Sequence, residues 1–276
     1  MAEDIESTKR ILNCVPSKNV EKDWGFESAM DAEIVETPVK IPPAVNLHEE
    51  WWKIGDQGNH GACVGFATAD SLLRWHFVNE NRLKKHELLS VRFIWMSAKE
   101  TDECETWPTT FLEREGTSLK RALDITRRFG CVTESMLPFD PEILYRGARE
   151  TFFASASRFK IANYFSLRKP TENWETVQSN WRTWLATHGP ILTRLNVDAT
   201  WFEADKTNGN LDVYRADTVR GGHAVALVGY TKDRFIVRNS WGTKWGYEGF
   251  GFASHEYAKA AFTETYGITI PAALRS

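Results

Sequence analysis

A cysteine at the start of a helix is the first candidate for chemistry in this sequence. Cys63 follows a glycine-rich turn in DQGNHGACVGFATA, and apolar residues at helical spacing begin at Ala62. At a helix start, free backbone N–H groups and the positive end of the helix dipole favour an anion, so they lower the pKa of a thiol. The position suits a thiolate nucleophile, although a lone cysteine there is more often a small buried residue.

A histidine and an asparagine in the second half of the chain could complete such a site. GGHAVALVGY places His223 at the head of an apolar strand, and RNSWGTKWGYEGFG places Asn239 at the end of the next strand, with Trp241 close behind. An amide that accepts from an imidazole N–H fixes the tautomer and orientation of the ring, and a neighbouring aromatic ring can exclude water. Cysteine, histidine and asparagine are together the parts of an activated thiol nucleophile, whereas a single histidine in this setting is usually structural.

The elements that must position these residues differ between the two halves. Helical spacing predicts a helix from Ala62, one capped by Ser90, one in TSLKRALDITRRF that ends before Gly130, and one in ENWETVQSNWRTWLATH. After Pro190 the segments ILTRLNV, HAVALVGY, RFIVRN and GFGFAS are short and rich in β-formers. Helices followed by strands favour an α+β fold, with two lobes and a cleft between them.

Three blocks of this sequence resemble the signature blocks of the papain-like cysteine peptidases of bacterial type: DQGNHGAC, GGHAVALVGY and NSWGTKWGYEGF, in that order. The resemblance extends from about residue 44 to 270. It implies a papain-like two-lobe fold, with a helical lobe, a β-barrel-like lobe and the active site in the cleft. We therefore expect an N-terminal extension at 1–44 and a peptidase domain at 45–270, with the helical lobe at about 57–160 and the β lobe at about 161–270.

The resemblance also implies catalytic roles. Cys63 would be the nucleophile, His223 its base and then the acid that protonates the leaving amine, and Asn239 the residue that orients His223. Gln57 would donate a side-chain N–H to the oxyanion hole, with the backbone N–H of Cys63 as the second donor. We expect no metal and no cofactor.

Four further residues are expected to line the substrate cleft. Gly116 would lie on the loop that pairs with the substrate backbone, and Trp241 would shield the contact between Asn239 and His223. Gly222 stands where many members carry a polar residue. Arg194 would favour an acidic or polar side chain at the second residue before the scissile bond, or would instead point to solvent and pair with a surface acid.

Two departures from the family pattern concern the segments around the nucleophile. His60 stands where secreted members have a disulfide-forming cysteine. A surface or hydrogen-bonding role is expected for it, and the alternative is a second catalytic base. The extension 1–44 either covers the cleft or packs against the back of a lobe, and a structural role is favoured because nothing marks a cleavage site. Cys14 within it is an inert thiol or a redox-sensitive one.

Composition restricts the partners. The formal net charge is −3, so no basic surface is expected to attract nucleic acid or a membrane. The four cysteines lie far apart without zinc-site spacing, and free thiols are expected. No signal peptide or membrane span is recognisable in the sequence, which predicts a cytoplasmic protein. The expected partners are a peptide or protein substrate and a contact of residues 1–44 with the catalytic domain.

Three activities remain compatible with these residues. The first is hydrolysis of peptide bonds by an endopeptidase or exopeptidase. The second is a transpeptidase or peptide cyclase, which would pass the acyl group to an amine instead of water. The third is a non-catalytic peptide-binding module on the same fold, which is disfavoured because Gln57, Cys63, His223 and Asn239 are all present.

Overall fold

The computed structural model describes residues 10–35, 40–101, 107–140 and 142–272, so Cys104 lies outside the described residues. The α-helices are α1 (Phe26–Asp31), α2 (Cys63–Gly65, continuing through Phe66–Leu73 and Arg74–Asn79), α3 (Val91–Glu100), α4 (Leu119–Arg128), α5 (Arg149–Ser157), α6 (Trp174–Thr187), α7 (Ala199–Phe202) and α8 (His255–Ala261). In this part of the chain, no helix combines the length and apolar character that crossing a membrane requires.

Side-chain caps fix the starts of the predicted helices. The Ser90 hydroxyl accepts from the N–H of Phe93 at 3.0 Å, which confirms the predicted start of α3. The side chains of Ser118 and Asn173 cap α4 and α6 in the same way. The middle part of α2, Phe66–Leu73, has π-helical hydrogen bonding, which the spacing of apolar residues does not reveal.

The strands form one mixed sheet. They are β1 (Val45–Asn46), β2 (Asn163–Ser166), β3 (Ile191–Val197), β4 (Asn210–Leu211), β5 (Gly221–Tyr230), β6 (Arg234–Arg238), β7 (Phe250–Ser254) and β8 (Phe262–Thr269). The strand order is β2-β8-β3-β5-β6-β7-β4, and β1 also pairs with β5. The predicted α+β two-lobe fold is confirmed. Among the described residues β2 and β4 have no partner that closes the sheet, so the barrel-like description of the β lobe applies only loosely.

Strand β5 separates the two main cores. Ala224 belongs to the apolar cluster built mainly by α2, α3 and α4, whereas Val225 belongs to the cluster enclosed by the sheet and α6. Successive residues of a strand point to opposite faces, so a single strand serves both cores. His223 at the beginning of β5 therefore lies where the lobes meet.

The N-terminal extension consists of three parts that differ in their surroundings. Residues 24–35, the docked segment, include α1 and bury Phe26, Ala29 and Val35 in the core of the β lobe. Residues 18–23, the crossing segment, include the 3₁₀ turn Val20–Lys22. Residues 10–17, the cleft segment, run between the lobes, with hydrogen bonds to Gly222 and Thr117.

Candidate active site

Cys63 begins α2 and points its sulfur at strand β5. The side chain is fully buried. Burial raises the pKa of the thiol to about 11, against the opposing effects of the backbone N–H groups of Ala224 and Val64 and of the charge of Arg194. Because Ala224 follows His223 in β5, the sulfur of the expected nucleophile lies next to the strand segment that carries its expected base.

The ring of His223 is held by Asn239. Its Nε2 atom lies 2.8 Å from the Oδ1 atom of Asn239. The amide oxygen can only accept, so Nε2 carries the hydrogen and Nδ1 is left as the basic nitrogen. Nδ1 is buried and has no hydrogen-bond partner among the described residues. Burial lowers the pKa of His223 to about 4, although the bond to Asn239 opposes this shift.

A serine that sequence analysis missed joins the two ends of the site. Ser240 donates its hydroxyl to Oε1 of Gln57 at 2.8 Å, over a sequence separation of 183 residues. Its backbone N–H donates to Oδ1 of Asn239, and its carbonyl accepts from the N–H of Gln57. The side-chain amide of Gln57 also donates to the carbonyl of His60 at 2.8 Å. The glutamine is therefore fixed in one orientation by the residue that follows Asn239.

Aromatic rings cover the contact between His223 and Asn239. The ring of Trp241 lies 5.1 Å from the imidazole, and Trp201 approaches it from another side at 5.8 Å. Both tryptophans are buried. The predicted shielding role of Trp241 fits this arrangement, since the rings exclude water from the hydrogen bond.

The cleft segment lies directly over these residues. The guanidinium of Arg10 stacks on Trp241 and donates to Oδ1 of Asp56 at 2.6 Å. It also donates to the carbonyls of Gly58 and Trp241. Partial burial raises the pKa of Asp56, but the hydrogen bonds from Arg10 and Gly58 together with the Arg10 charge outweigh it and hold the pKa below its ordinary value.

Backbone contacts hold the middle of the cleft segment. The N–H of Cys14 donates to the carbonyl of Gly222 at 3.1 Å, and the N–H of Val15 donates to the carbonyl of Thr117 at 3.1 Å. A Cβ atom at Gly116 or Gly222 would collide with a carbonyl oxygen of this segment. Both predicted cleft glycines therefore lie where an extended chain approaches the backbone.

Arg194 lies in the cleft and not at the solvent. It is buried, and its Nε donates to the carbonyl of Cys14 at 3.0 Å. Its Nη1 donates to the side chains of Asn196 and Thr263. The alternative of a surface ion pair is wrong, and the partner in the cleft is a backbone carbonyl.

A second charged residue, which sequence analysis missed, lies opposite Arg194. Glu264 in β8 is the cross-strand partner of Arg194, and only 8% of it is exposed. Its Oε1 accepts from the N–H of Ser17 at 2.8 Å, while Oε2 is buried without a hydrogen-bond partner among the described residues. Its position between Thr263 and Thr265 in FTETYGIT gives no sign of the cleft.

His60 takes part in a contact between the loop that precedes Cys63 and the loop that contains Glu113. Its Nδ1 lies 3.5 Å from Oε1 of Glu113, which also accepts from the N–H of Gly61 at 2.6 Å. The carbonyls of Glu113 and Glu115 accept from the side chain of Asn13. The expected hydrogen-bonding role of His60 agrees with this arrangement.

Comparison with known proteins finds similarity to cysteine proteases of the papain family. A family model for papain family cysteine proteases matches residues 41–269. A cathepsin L-like proteinase of Fasciola hepatica is 25% identical over 221 residues, covering 76% of this chain and 59% of that protein. This chain thus spans less than two thirds of that relative's length.

Solved structures show the same fold. Xylellain, a cysteine protease from Xylella fastidiosa, superposes with a TM-score of 0.74 at 19% identity, over 95% of this chain and 97% of that one. The procathepsin L2 proteinase of the Tenebrio molitor larval midgut superposes with a TM-score of 0.67 at 16% identity, over 96% of this chain and 80% of that one.

Proposed function

Because the chain belongs to the papain family of cysteine proteases, we propose that it is a cysteine peptidase that hydrolyses peptide bonds through the thiolate of Cys63. The observation that carries the proposal is the state of His223. Its Nε2 is bound to Asn239, and its buried Nδ1 has no hydrogen-bond partner within the described part of the chain. The next residue in the strand, Ala224, meets the Cys63 sulfur.

The reaction proceeds in two halves. Nδ1 of His223 accepts the thiol proton, and the sulfur of Cys63 forms a bond to the peptide carbonyl carbon. As the C–N bond breaks, the imidazolium returns that proton to the leaving amine and a thioester remains. A water molecule then loses a proton to His223 and attacks the thioester, so that the acid is released and the thiol restored.

The oxyanion is stabilised by two donors. These are the backbone N–H of Cys63 and a side-chain N–H of Gln57. The support for Gln57 is its immobility, since Ser240 and the carbonyl of His60 hold both ends of its amide. A donor that is already oriented needs no reorganisation when the negative charge develops.

The cleft segment keeps the enzyme latent in this form. It occupies the space above Cys63, and the buried thiol and imidazole are neutral because burial raises the pKa of the thiol and lowers the pKa of His223. Displacement of residues 10–17 hydrates the cleft and permits the thiolate–imidazolium pair. This extends the expected contact between residues 1–44 and the catalytic domain.

Arg194 recognises a backbone carbonyl of the substrate. The support is its bond to the carbonyl of Cys14, which runs where a substrate would lie. The carboxylate of Glu264 beside it disfavours an acidic side chain. Peptides with Leu or Glu at the second residue before the scissile bond separate this role from the charge-based preference, since a preference for Glu would show that Arg194 binds the side chain.

A reducing compartment suits these thiols. Among the described residues Cys14, Cys63 and Cys131 are free and buried, and the nucleophile must stay reduced to act. A bacterial, cytoplasmic protein is therefore our proposal for its setting, to be tested by fractionating cells that express the full chain.

The proposed function is tested by cleavage of a peptide library, read by mass spectrometry. The Arg10→Ala, Asn13→Ala double variant, whose cleft segment is loosened, should generate new peptide termini with water-derived carboxylates. Cys63→Ser should abolish them, and Cys131→Ala, the matched control at another buried thiol, should retain them. Products joined to an added amine instead would favour a transpeptidase, and peptide binding without cleavage would favour a binding module.

A further inference from the structure

One end of the cleft is closed by a part of the chain that is built into the fold. Phe26, Ala29 and Val35 of the docked segment are at most 3% exposed. The ring of Phe26 packs edge-on against Trp184, and the carbonyl of Trp24 accepts from the N–H of Ser166 at 2.8 Å. Burial of this kind makes removal of the docked segment costly, so residues 24–35 remain in place in the working enzyme.

The crossing segment joins the two lobes. Lys120 on α4 donates to the carbonyls of Lys18 and Asn19 and forms an ion pair with Asp23, whose side chain is 6% exposed. From the other lobe, the hydroxyl of Tyr266 donates to Oδ2 of Asp23 at 2.9 Å. Since residue 24 is anchored, residues 18–23 span the cleft whether or not the cleft segment is present.

The cleft segment is held in a different way. Cys14 and Val15 make single backbone hydrogen bonds to Gly222 and Thr117, as an extended peptide ligand does. Arg10 adds an ion pair with Asp56, whose side chain is 52% exposed. These contacts can be exchanged for those of a substrate.

Glu264 lies where the open cleft meets the crossing segment. One carboxylate oxygen binds the N–H of Ser17, and the other is buried without a hydrogen-bond partner among the described residues. No cationic side chain of the described residues forms an ion pair with it. A buried carboxylate without a counter-ion is costly, so this oxygen favours a cation delivered by the substrate.

The strand register gives the distance from the nucleophile. Ala224 of β5 faces the sulfur of Cys63, Arg194 of β3 pairs with Ala224, and Glu264 of β8 pairs with Arg194. Two strand spacings amount to about 10 Å. Two extended residues span about 7 Å, and an ammonium-to-carboxylate contact adds about 3 Å.

We propose that this chain is an exopeptidase that removes dipeptides from the amino terminus of its substrates, with Glu264 binding the free α-ammonium group. The proposal rests on the proposed cysteine peptidase function. The crossing segment leaves no room for further residues on the amino-terminal side of the cleft. The carboxylate of Glu264 favours a free α-ammonium group two residues before the scissile bond. Both features select the same substrate class, a peptide with an unblocked amino terminus.

The test uses the full chain carrying Arg10→Ala and Asn13→Ala, whose cleft segment is loosened, and three irreversible probes of Cys63. They are Gly-Phe vinyl sulfone, its N-acetylated form and acetyl-Lys-Phe vinyl sulfone, each followed by intact mass and peptide mapping. We expect the free-amine probe to label Cys63 on the order of 100-fold faster than the N-acetylated form, since the latter leaves the buried carboxylate unpaired. Glu264→Gln should reduce this ratio towards one, whereas Glu256→Gln, at an exposed carboxylate, should leave it unchanged.

Other outcomes would overturn the proposal. Equal labelling by the free and acetylated Gly-Phe probes would show that the cleft is that of an endopeptidase. The proposed peptidase function would not be affected by this result. Labelling by acetyl-Lys-Phe as fast as by Gly-Phe would mean that Glu264 binds a side chain. No labelling by any probe, with Cys63 still alkylated by iodoacetamide, would refute the peptidase function itself.

A second variant examines the crossing segment. Added to the Arg10→Ala, Asn13→Ala variant, Lys120→Met removes the attachment of the crossing segment to the helical lobe. Cleavage of long peptides with blocked amino termini should then rise at least about tenfold relative to that variant, as expected when charge-assisted bonds are lost. Lys259→Met, at an exposed position, is the matched control. Equal cleavage of blocked peptides by the Arg10→Ala, Asn13→Ala variant with and without Lys120→Met would show that the crossing segment does not close the cleft.

Discussion

The protonation of Cys63 and His223 follows from the water that the cleft segment excludes. Both side chains are fully buried, and burial disfavours the charged form of each. The thiol therefore has a pKa of about 11 and the imidazole a pKa of about 4, so both are neutral at pH 7. The proposed thiolate–imidazolium pair needs both groups charged, and we propose that the position of residues 10–17 decides between the neutral and the charged state.

Alkylation of Cys63 by iodoacetamide should report this change. In the wild type the rate should be low at pH 7 and rise towards pH 11 as the thiol ionises. In the Arg10→Ala, Asn13→Ala double variant the rate at pH 7 should rise at least about tenfold, because a hydrated thiolate beside His223 has a lower pKa. Arg149→Ala, which removes an exposed ion pair, is the control, and identical profiles for all three proteins would contradict the account.

The orientation of Gln57 depends on Ser240. Ser240→Ala removes the donor to Oε1 of Gln57 and leaves the backbone contact intact. We expect kcat to fall about tenfold or more with little change in KM, since the oxyanion donor acts in the transition state. Ser157→Ala on the exposed face of α5 should have no effect, and a rise in KM alone would assign Ser240 to substrate binding.

At the scale of elements, the docked segment belongs to the β lobe although it precedes the catalytic region in sequence. Phe26→Ala should lower the free energy of unfolding by about 3–5 kcal/mol, because it leaves a cavity against Trp184. Glu27→Ala, on the exposed side of α1, should change it by less than about 0.5 kcal/mol. Urea unfolding measures both, and equal values would show that α1 is a detachable appendage.

The elements that sequence could predict are those with a strong local signal. Ser90 and Ser118 cap helices whose apolar faces recur at helical spacing, and the β-rich run ILTRLNV is strand β3. Helix α5 was not predicted because Ala156 is its only buried residue, so it has no apolar stripe. Sheet closure depends on pairings between distant strands, and no local pattern reports that β2 and β4 remain edges.

At the scale of the whole molecule, the ion pair of Arg10 with Asp56 makes cleft closure dependent on pH. The pKa of Asp56 is lowered when the cleft segment is bound. The contribution of the Asp56 carboxylate to the stability of this bound form is therefore complete above the ordinary aspartate pKa and is lost as the pH falls through the lowered value. Acid should therefore release the cleft segment. Hydrogen-exchange protection of the Cys14 and Val15 amides, corrected for intrinsic rates, should fall with pH below about 4.

Substitution of Asp56 separates this effect from general acid unfolding. Asp56→Asn should lower the protection of the Cys14 amide at neutral pH and remove its acid dependence. Asp212→Asn, which breaks an exposed ion pair with Arg234, should preserve both. Protection that stays constant down to the pH of global unfolding would rule out the acid release.

The proposed catalytic residues could be predicted from the sequence because each has a distinctive neighbourhood, as Cys63 has among glycines and Asn239 has before Trp241. The residues that were missed act only through the tertiary fold. Glu264 lies in the cleft because β8 pairs with Arg194 of β3, and its carboxylate accepts from the N–H of Ser17, which lies 247 residues away in sequence. The path of residues 10–17 through the cleft likewise depends on contacts with both lobes, which no local composition encodes.

The central claim is that the cleft of this chain assembles an activated thiol beneath its own N-terminal segment. The most direct measurement is labelling by E-64, an epoxide that alkylates papain-type thiolates, of the full chain and of the Arg10→Ala, Asn13→Ala variant. The account predicts one adduct, on Cys63, formed faster in the variant and suppressed by His223→Ala. An adduct elsewhere, or none in the variant while Cys63 remains titratable after unfolding, would contradict it.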